Sequence, residues 1–127
     1  VTLPNTDVTR QQKAPEIAQT TSKPATVALL NTAKYQRDSG KMRAAQSSLE
    51  RALRISPKDP EVYYSLAEVH RRLGEFVQAE QVALKGVEVA AGQSPKLKRL
   101  WTLVAKVRAE AGDSAGAKKA LQKSTSY

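Results

Sequence analysis

Residues 59–79 read DPEVYYSLAEVHRRLGEFVQA and contain the clearest helix signals in the sequence. Asp59 is a preferred helix N-cap, and Pro60 fits the first helical position, where its missing N–H costs no hydrogen bond. Apolar residues then recur three and four positions apart, as they do on the buried side of a helix. Gly74 interrupts this pattern, and a second helical pattern with Ala79 on its buried side follows. The stretch therefore predicts two antiparallel helices joined by a tight turn.

The same pattern occurs three times from residue 24 onward. Four columns of equivalent positions recur at spacings of 34 and then 38 residues, and the four extra residues lie in the segment 92–95. Agreement of four columns in one register indicates an internal repeat. We therefore predict an all-α domain of six antiparallel helices in three units, 24–57, 58–94 and 95–127. The columns are Gly40, Gly74 and Gly112; Ala45, Ala79 and Ala117; Leu29, Tyr63 and Trp101; and Leu49, Ala83 and Leu121.

The composition of the 127 residues agrees with an all-α domain and excludes several kinds of chemistry. Aromatic residues make up only 5% of the chain, which argues against a β-sandwich or barrel. There is no cysteine and one histidine, His70, so disulfides, thiolate zinc sites and a thiol nucleophile are excluded. No nucleophile beside a base and no glycine-rich phosphate loop is evident. We therefore expect no enzyme activity, no metal, no cofactor and no small-molecule substrate.

The net charge of +9 is unevenly distributed along the chain. Residues 24–57 carry six basic and two acidic groups, residues 58–91 carry four and six, and residues 92–127 carry eight and two. Such basicity makes nucleic-acid binding an alternative. Against that alternative, the basic residues do not alternate with aromatic ones, and the middle unit is acidic.

Residues 1–23 differ from the rest in composition. They are rich in Thr, Gln and Pro and show no apolar periodicity, so they cannot bury enough surface to offset the entropy of ordering. We predict a flexible, disordered tether ahead of the repeat domain 24–127. The start at Val1 rather than Met indicates that an upstream segment was removed, either by processing or by the choice of the expressed fragment, and a signal peptide or lipid attachment site is one candidate for that segment.

The repeat resembles the tetratricopeptide repeat family, whose helix-turn-helix unit has about 34 residues. In the middle unit, Tyr63, Leu66 and Ala67 match the family's opening pattern of large and small residues. Gly74 matches the family's turn, and Ala79 matches its second helix. The outer units match at Gly40, Ala45, Leu49, Ala52 and Pro57, and at Trp101, Ala105, Gly112, Ala117 and Leu121.

Three positions depart from the family pattern, namely Thr32, Ala83 and Gly86, and we expect them to weaken packing locally. The resemblance implies a short right-handed superhelix, because each unit is too small to bury its own apolar face and stacks on the next. It also implies a non-catalytic protein-interaction module that binds partners on the concave face formed by the first helix of each unit.

A polar stripe beside the core stripe is expected to line that concave face. Its arginines suit planar carboxylates, so we predict a protein partner with an acidic or carboxylate-bearing segment. We expect Arg71 and Arg72 to face Lys34 and Arg37 of the preceding unit. Tyr63 and Trp101 are predicted to be core residues, and the column of His70 to be simply polar. The candidate binding residues are Lys34, Arg37, Tyr64, Glu68, Arg71, Arg72 and Lys106.

Within the family, a Thr/Gln/Pro-rich segment ahead of a short repeat domain resembles the tetratricopeptide outer-membrane lipoproteins that activate class A penicillin-binding proteins. This resemblance implies a periplasmic domain that contacts a peptidoglycan synthase and reaches the membrane only through an upstream lipid anchor. The alternative is an adaptor for another partner, such as a pilus or secretion component, in the periplasm or the cytoplasm.

Overall fold

The computed structural model of the protein describes residues 22–127. The predicted tether at residues 1–23 therefore lies outside the described part of the chain, except for Ser22 and Lys23. Within the described part, the six predicted helices are found. The helices are α1 Pro24–Asp38, α2 Met42–Ile55, α3 Pro60–Arg72, α4 Phe76–Val89, α5 Ser94–Glu110 and α6 Ser114–Thr125.

The turn inside each unit is built in the same way. Gly40, Gly74 and Gly112 have φ angles of +80°, +77° and +90°, in the left-handed region that only glycine enters without strain. The predicted cap at the start of α3 is present, since the Asp59 carboxylate accepts a hydrogen bond from the Glu61 backbone N–H at 3.0 Å. Asp113 caps α6 in the same way.

The helices pack as antiparallel pairs, and the pairs stack in sequence order. The first helices α1, α3 and α5 lie side by side, and the second helix of each unit packs on the first helix of the next. Small residues allow this close packing, because Ala45 and Ala79 are fully buried in the second helices. Tyr63 is buried and Trp101 is partly buried against the core, as predicted.

Gly86 corrects one expectation about packing. A Cβ atom at this position would stand 2.9 Å from the Tyr63 Cβ and 3.0 Å from Leu100 Cδ2. Gly86 therefore lets α4 approach both α3 and α5, and the expectation that it weakens packing is wrong.

The column of Leu49, Ala83 and Leu121 is a core column in only two units. Leu49 and Ala83 are fully buried, but Leu121 is 49% exposed. Within residues 22–127, no further helix packs on the outer side of α6. None of the six helices described is long and apolar enough to cross a membrane.

Candidate protein-binding face

The seven predicted binding residues all lie on the three adjacent first helices. Lys34 and Arg37 belong to α1 and Lys106 belongs to α5, while the remaining four belong to α3. The repeat geometry thus brings the predicted residues onto one face. The contacts among them differ from one junction between units to the next.

Arg71 forms a bridge from α3 to α5. Its guanidinium donates to Glu68 in its own helix, with Nη2 2.7 Å from Oε2, and to both carboxylate oxygens of Glu110 at 3.0 and 2.8 Å. The pKa of Glu68 lies below its ordinary value, first because of the hydrogen bond from Arg71 and then because of surrounding positive charges that include Lys106. The Arg71 side chain is only 13% exposed. Arg71 thus pairs with carboxylates on the side of α5, and the expectation that it faces α1 is wrong.

Arg72 is the last residue of α3. Its Nε is 3.4 Å from Glu68 Oε2, and its side chain is 40% exposed. The pKa of the Asp38 carboxyl is lowered chiefly by a hydrogen bond from Lys34 at 3.1 Å, with smaller contributions from the charges of Arg37 and Arg72. The ion pair of Arg72 is thus within its own helix, and that it faces Lys34 and Arg37 stays a prediction.

Arg37 is only weakly paired on this face. Its side chain is 18% exposed, and its one ion pair within residues 22–127 is with Asp38, at 3.8 Å between Nε and Oδ1. In the same part of the chain, its buried Nε has no hydrogen-bond partner. Burying a polar group without a partner is costly, so the environment of Arg37 favours an additional acceptor.

Tyr64 does not present an open aromatic surface. It is half-buried against two apolar clusters, and the Arg99 guanidinium lies 4.2 Å from its ring centroid. Arg99 and Lys96 bind Glu61 across the same junction, at 3.0 and 2.9 Å. Burial raises the pKa of Glu61, but the hydrogen bonds and charges of Lys96 and Arg99 outweigh burial, and the net pKa is lowered.

Sequence reasoning missed this Glu61 cluster, although a signal for it exists. Glu61 and Arg99 are equivalent positions in neighbouring units and carry opposite charges. Arg71 and Glu110 likewise carry opposite charges about one repeat length apart, and they form an ion pair.

His70, Gln36 and Arg108 occupy equivalent positions, and each contacts the second half of its own unit. The His70 ring nitrogen Nδ1 lies 2.8 Å from Glu75 Oε1. At the equivalent positions, Gln36 accepts a hydrogen bond from Ser48 and Arg108 donates to the Gly116 carbonyl. Among residues 22–127, no group of His, Cys, Asp and Glu side chains could hold a metal ion.

The tetratricopeptide repeat family model matches residues 36–107. This chain belongs to the tetratricopeptide repeat family, and the predicted three-repeat fold is confirmed. The chain is similar to the globular C-terminal domain of P. aeruginosa LpoP, with 45% identity and a TM-score of 0.79 over 81% of this chain and 97% of that domain.

Two more distant solved structures share the fold alone. One is the Yersinia enterocolitica type III secretion translocator chaperone SycD, with 18% identity and a TM-score of 0.72 over 81% of this chain and 75% of that one. The other is the N-terminal domain of C. elegans stress-induced protein-1, with 17% identity and a TM-score of 0.74 over 83% and 87%. A search among curated proteins gives no match.

Proposed function

We propose that the chain is a non-catalytic domain that binds and activates a class A penicillin-binding protein. The observation that carries the proposal is the 45% identity with the LpoP domain over 97% of its length. The resemblance to tetratricopeptide lipoprotein activators rests on the repeat pattern and the preceding segment. The similarity to the LpoP domain covers nearly the whole of a solved domain. Stacked repeats form an extended concave surface suited to a protein partner, in agreement with this role.

The proposal places the domain in the periplasm, anchored to the outer membrane through a lipid ahead of Val1. Residues 1–23 would then be a tether that sets how far the domain reaches toward the synthase. A tether of this length spans a few tens of ångströms, roughly 25 Å as a flexible coil.

The proposed contact surface is the face formed by α1, α3 and α5, with its seven candidate residues. Three of the cations on or beside that face, Arg71, Lys96 and Arg99, are paired with carboxylates of the same chain. This internal pairing leaves fewer free cations on this face than its number of basic residues implies, and it favours a protein partner over nucleic acid.

The test is a polymerisation assay with a purified class A penicillin-binding protein from the same organism. We expect the chain to increase the rate of glycan-strand synthesis and to bind the synthase in a pull-down. The N-terminal domain of C. elegans stress-induced protein-1 is a matched control, because it shares the fold at 17% identity. An equal effect of both domains, or no effect of either, would contradict the proposal.

A further inference from the structure

The repeat provides an internal standard for the charges on the candidate face. Arg37 and Arg71 are equivalent positions 34 residues apart. Arg71 is held by two carboxylates, Glu68 from its own helix and Glu110 from the next unit. The arrangement around Arg71 therefore shows what a satisfied arginine looks like at this position.

Both carboxylates are replaced by cations around Arg37. The position equivalent to Glu68 is Lys34, and the position equivalent to Glu110 is Arg72. Lys34, Arg37 and Arg72 form what we call the first-junction cation cluster. Asp38 is the carboxylate that pairs with two of them, since it accepts from Lys34 at 3.1 Å and lies 3.8 Å from Arg37, while Arg72 occupies the register position from which Glu110 reaches Arg71.

Glu68 contributes little to this cluster, because its closest bond is to Arg71. The distance from Glu68 Oε2 is 2.7 Å to Arg71 and 3.4 Å to Arg72. Within residues 22–127, Lys34 and Arg37 thus share Asp38, and Arg72 pairs only with Glu68, which Arg71 already binds. Arg37 is the innermost of them, while Lys34 is 65% exposed and Arg72 is 40% exposed.

We propose that the first-junction cation cluster binds a protein segment with two neighbouring carboxylates, which take the places that Glu68 and Glu110 take around Arg71. The inference rests on the proposed function in that the partner is a protein. Lys34 and Arg72 are more exposed than Arg37 and contact the segment first. The planar Arg37 guanidinium then donates hydrogen bonds to the carboxylates of the segment. Charge-assisted hydrogen bonds of this kind are stronger than neutral ones, so the segment gains both affinity and register. Arg71 takes no part, because carboxylates of the chain itself already bind it.

The experiment measures binding of fluorescein-labelled alanine peptides that carry two glutamates separated by one to four alanines. The same peptides with glutamine are the reference, and anisotropy is recorded with the full chain at low and physiological salt. We expect at least one glutamate spacing to bind about tenfold more tightly than its glutamine counterpart.

The variant Lys34→Glu supplies an internal carboxylate three residues before Arg37, as Glu68 stands before Arg71. We expect it to abolish the preference for glutamate peptides while keeping the helical circular dichroism spectrum. Arg37→Gln, which removes only the inner donor, should weaken binding about tenfold. The matched control is Lys118→Glu on α6, an exposed lysine whose reversal changes the net charge by the same amount and should alter affinity less than about twofold.

Equal losses in Lys34→Glu and Lys118→Glu, or equal binding of a single-stranded oligonucleotide and the peptides, would reduce the effect to general attraction by a basic chain and overturn the inference. Failure of every glutamate peptide would also overturn it, even if the penicillin-binding protein is still captured and activated. Conversely, glutamate-specific binding without capture of the synthase would retain the cluster and reject the proposed function. The two proposals therefore fail in different assays.

Discussion

The junction between units one and two differs in kind from the junction between units two and three. Within residues 22–127, the first junction is an apolar contact around Leu49, Leu66 and Val69, and its ion pair is Arg43 with Glu75 at 2.7 Å. The second junction combines apolar clusters with the close approach at Gly86 and with carboxylates of both units. Its ion pairs are Glu61 with Lys96 and Arg99, Arg71 with Glu110, and Glu80 with Arg108.

This difference explains the alternating charge of the sequence. Two of the six acidic residues of the middle unit, Glu61 and Glu80, pair with basic residues of the third unit, and Glu110 of the third unit pairs with Arg71. The first unit is also basic but receives one of these carboxylates, from Glu75. The first junction therefore keeps the first-junction cation cluster, whereas the equivalent arginine of the second junction, Arg71, is paired with Glu110.

The largest expected effect comes from adding volume where the paired helices approach. Ala79→Leu should destabilise the domain by about 3 kcal/mol, because the residue is fully buried and overpacked cores do not relax completely. Thermal unfolding followed by circular dichroism measures the change. Ala45→Leu is the equivalent change in unit one, which packs on one neighbouring unit only, and we expect a smaller loss there. A larger loss at Ala45 would reverse the ranking of the junctions.

The next largest effect separates the two equivalent arginines. Arg71→Gln should cost about 1.5 to 3 kcal/mol, because it leaves two partly buried carboxylates without their charged donor. Arg37→Gln should change the free energy of unfolding by less than about 1 kcal/mol, since its pairing is weak. Urea titration of both variants checks the difference. Equal losses would mean that Arg37 has a structural bond equal to that of Arg71.

A glycine–alanine exchange tests the close approach in the second junction. Alanine normally stabilises a helix interior by about 1 kcal/mol relative to glycine. Gly86→Ala should nevertheless destabilise by about 1 kcal/mol, because its Cβ would meet the Tyr63 Cβ at 2.9 Å. At the equivalent position of unit one, Ala52→Gly should also destabilise, through lost helix propensity. A stabilised Gly86→Ala variant would show that α4 shifts at little cost.

Acid should weaken the second junction through Glu61 and Glu68, whose pKa values are lowered in the folded chain from an ordinary value of 4.5. Their contribution is complete above about pH 4.5 and is lost as the pH falls through the folded-state pKa. The double variant Glu61→Gln, Glu68→Gln should therefore lose about 1 kcal/mol less of its free energy of unfolding than the parent between pH 7 and pH 3, as measured by urea titration. Glu50→Gln, at an exposed position without an ion pair in residues 22–127, is the control and should follow the parent.

The smallest effect is expected from the tail. A chain that begins at Thr21 should melt within a few degrees of the full chain, because the sequence shows no apolar stripe that links residues 1–20 to the repeats. Removing Ser22 and Lys23 as well should cost up to about 1 kcal/mol, since these residues hydrogen-bond Asp59 and the Ile55 carbonyl at the first junction. A large fall in Tm on the shorter truncation alone would place part of the tail on the domain.

The helices and their order could be predicted from the sequence. The left-handed turns at Gly40, Gly74 and Gly112 and the Asp59 cap depend on local backbone chemistry, which a sequence carries directly. The recurrence of small and large residues likewise determined that three units stack, because an isolated unit cannot bury its apolar face. The same recurrence predicted that seven polar residues share one face.

Which of those residues are available to a partner depends on contacts between helices of different units, and these contacts are seen in the tertiary structure. Distances across a junction determine which group a long charged side chain pairs with. Arg37 and Arg71 are equivalent positions with the same side chain, so the residue type alone does not distinguish them. Their different states follow from the residues on the adjacent helix, Arg72 in one case and Glu110 in the other. The role of Gly86 was hidden for the same reason, since the atoms that approach it come from two other helices.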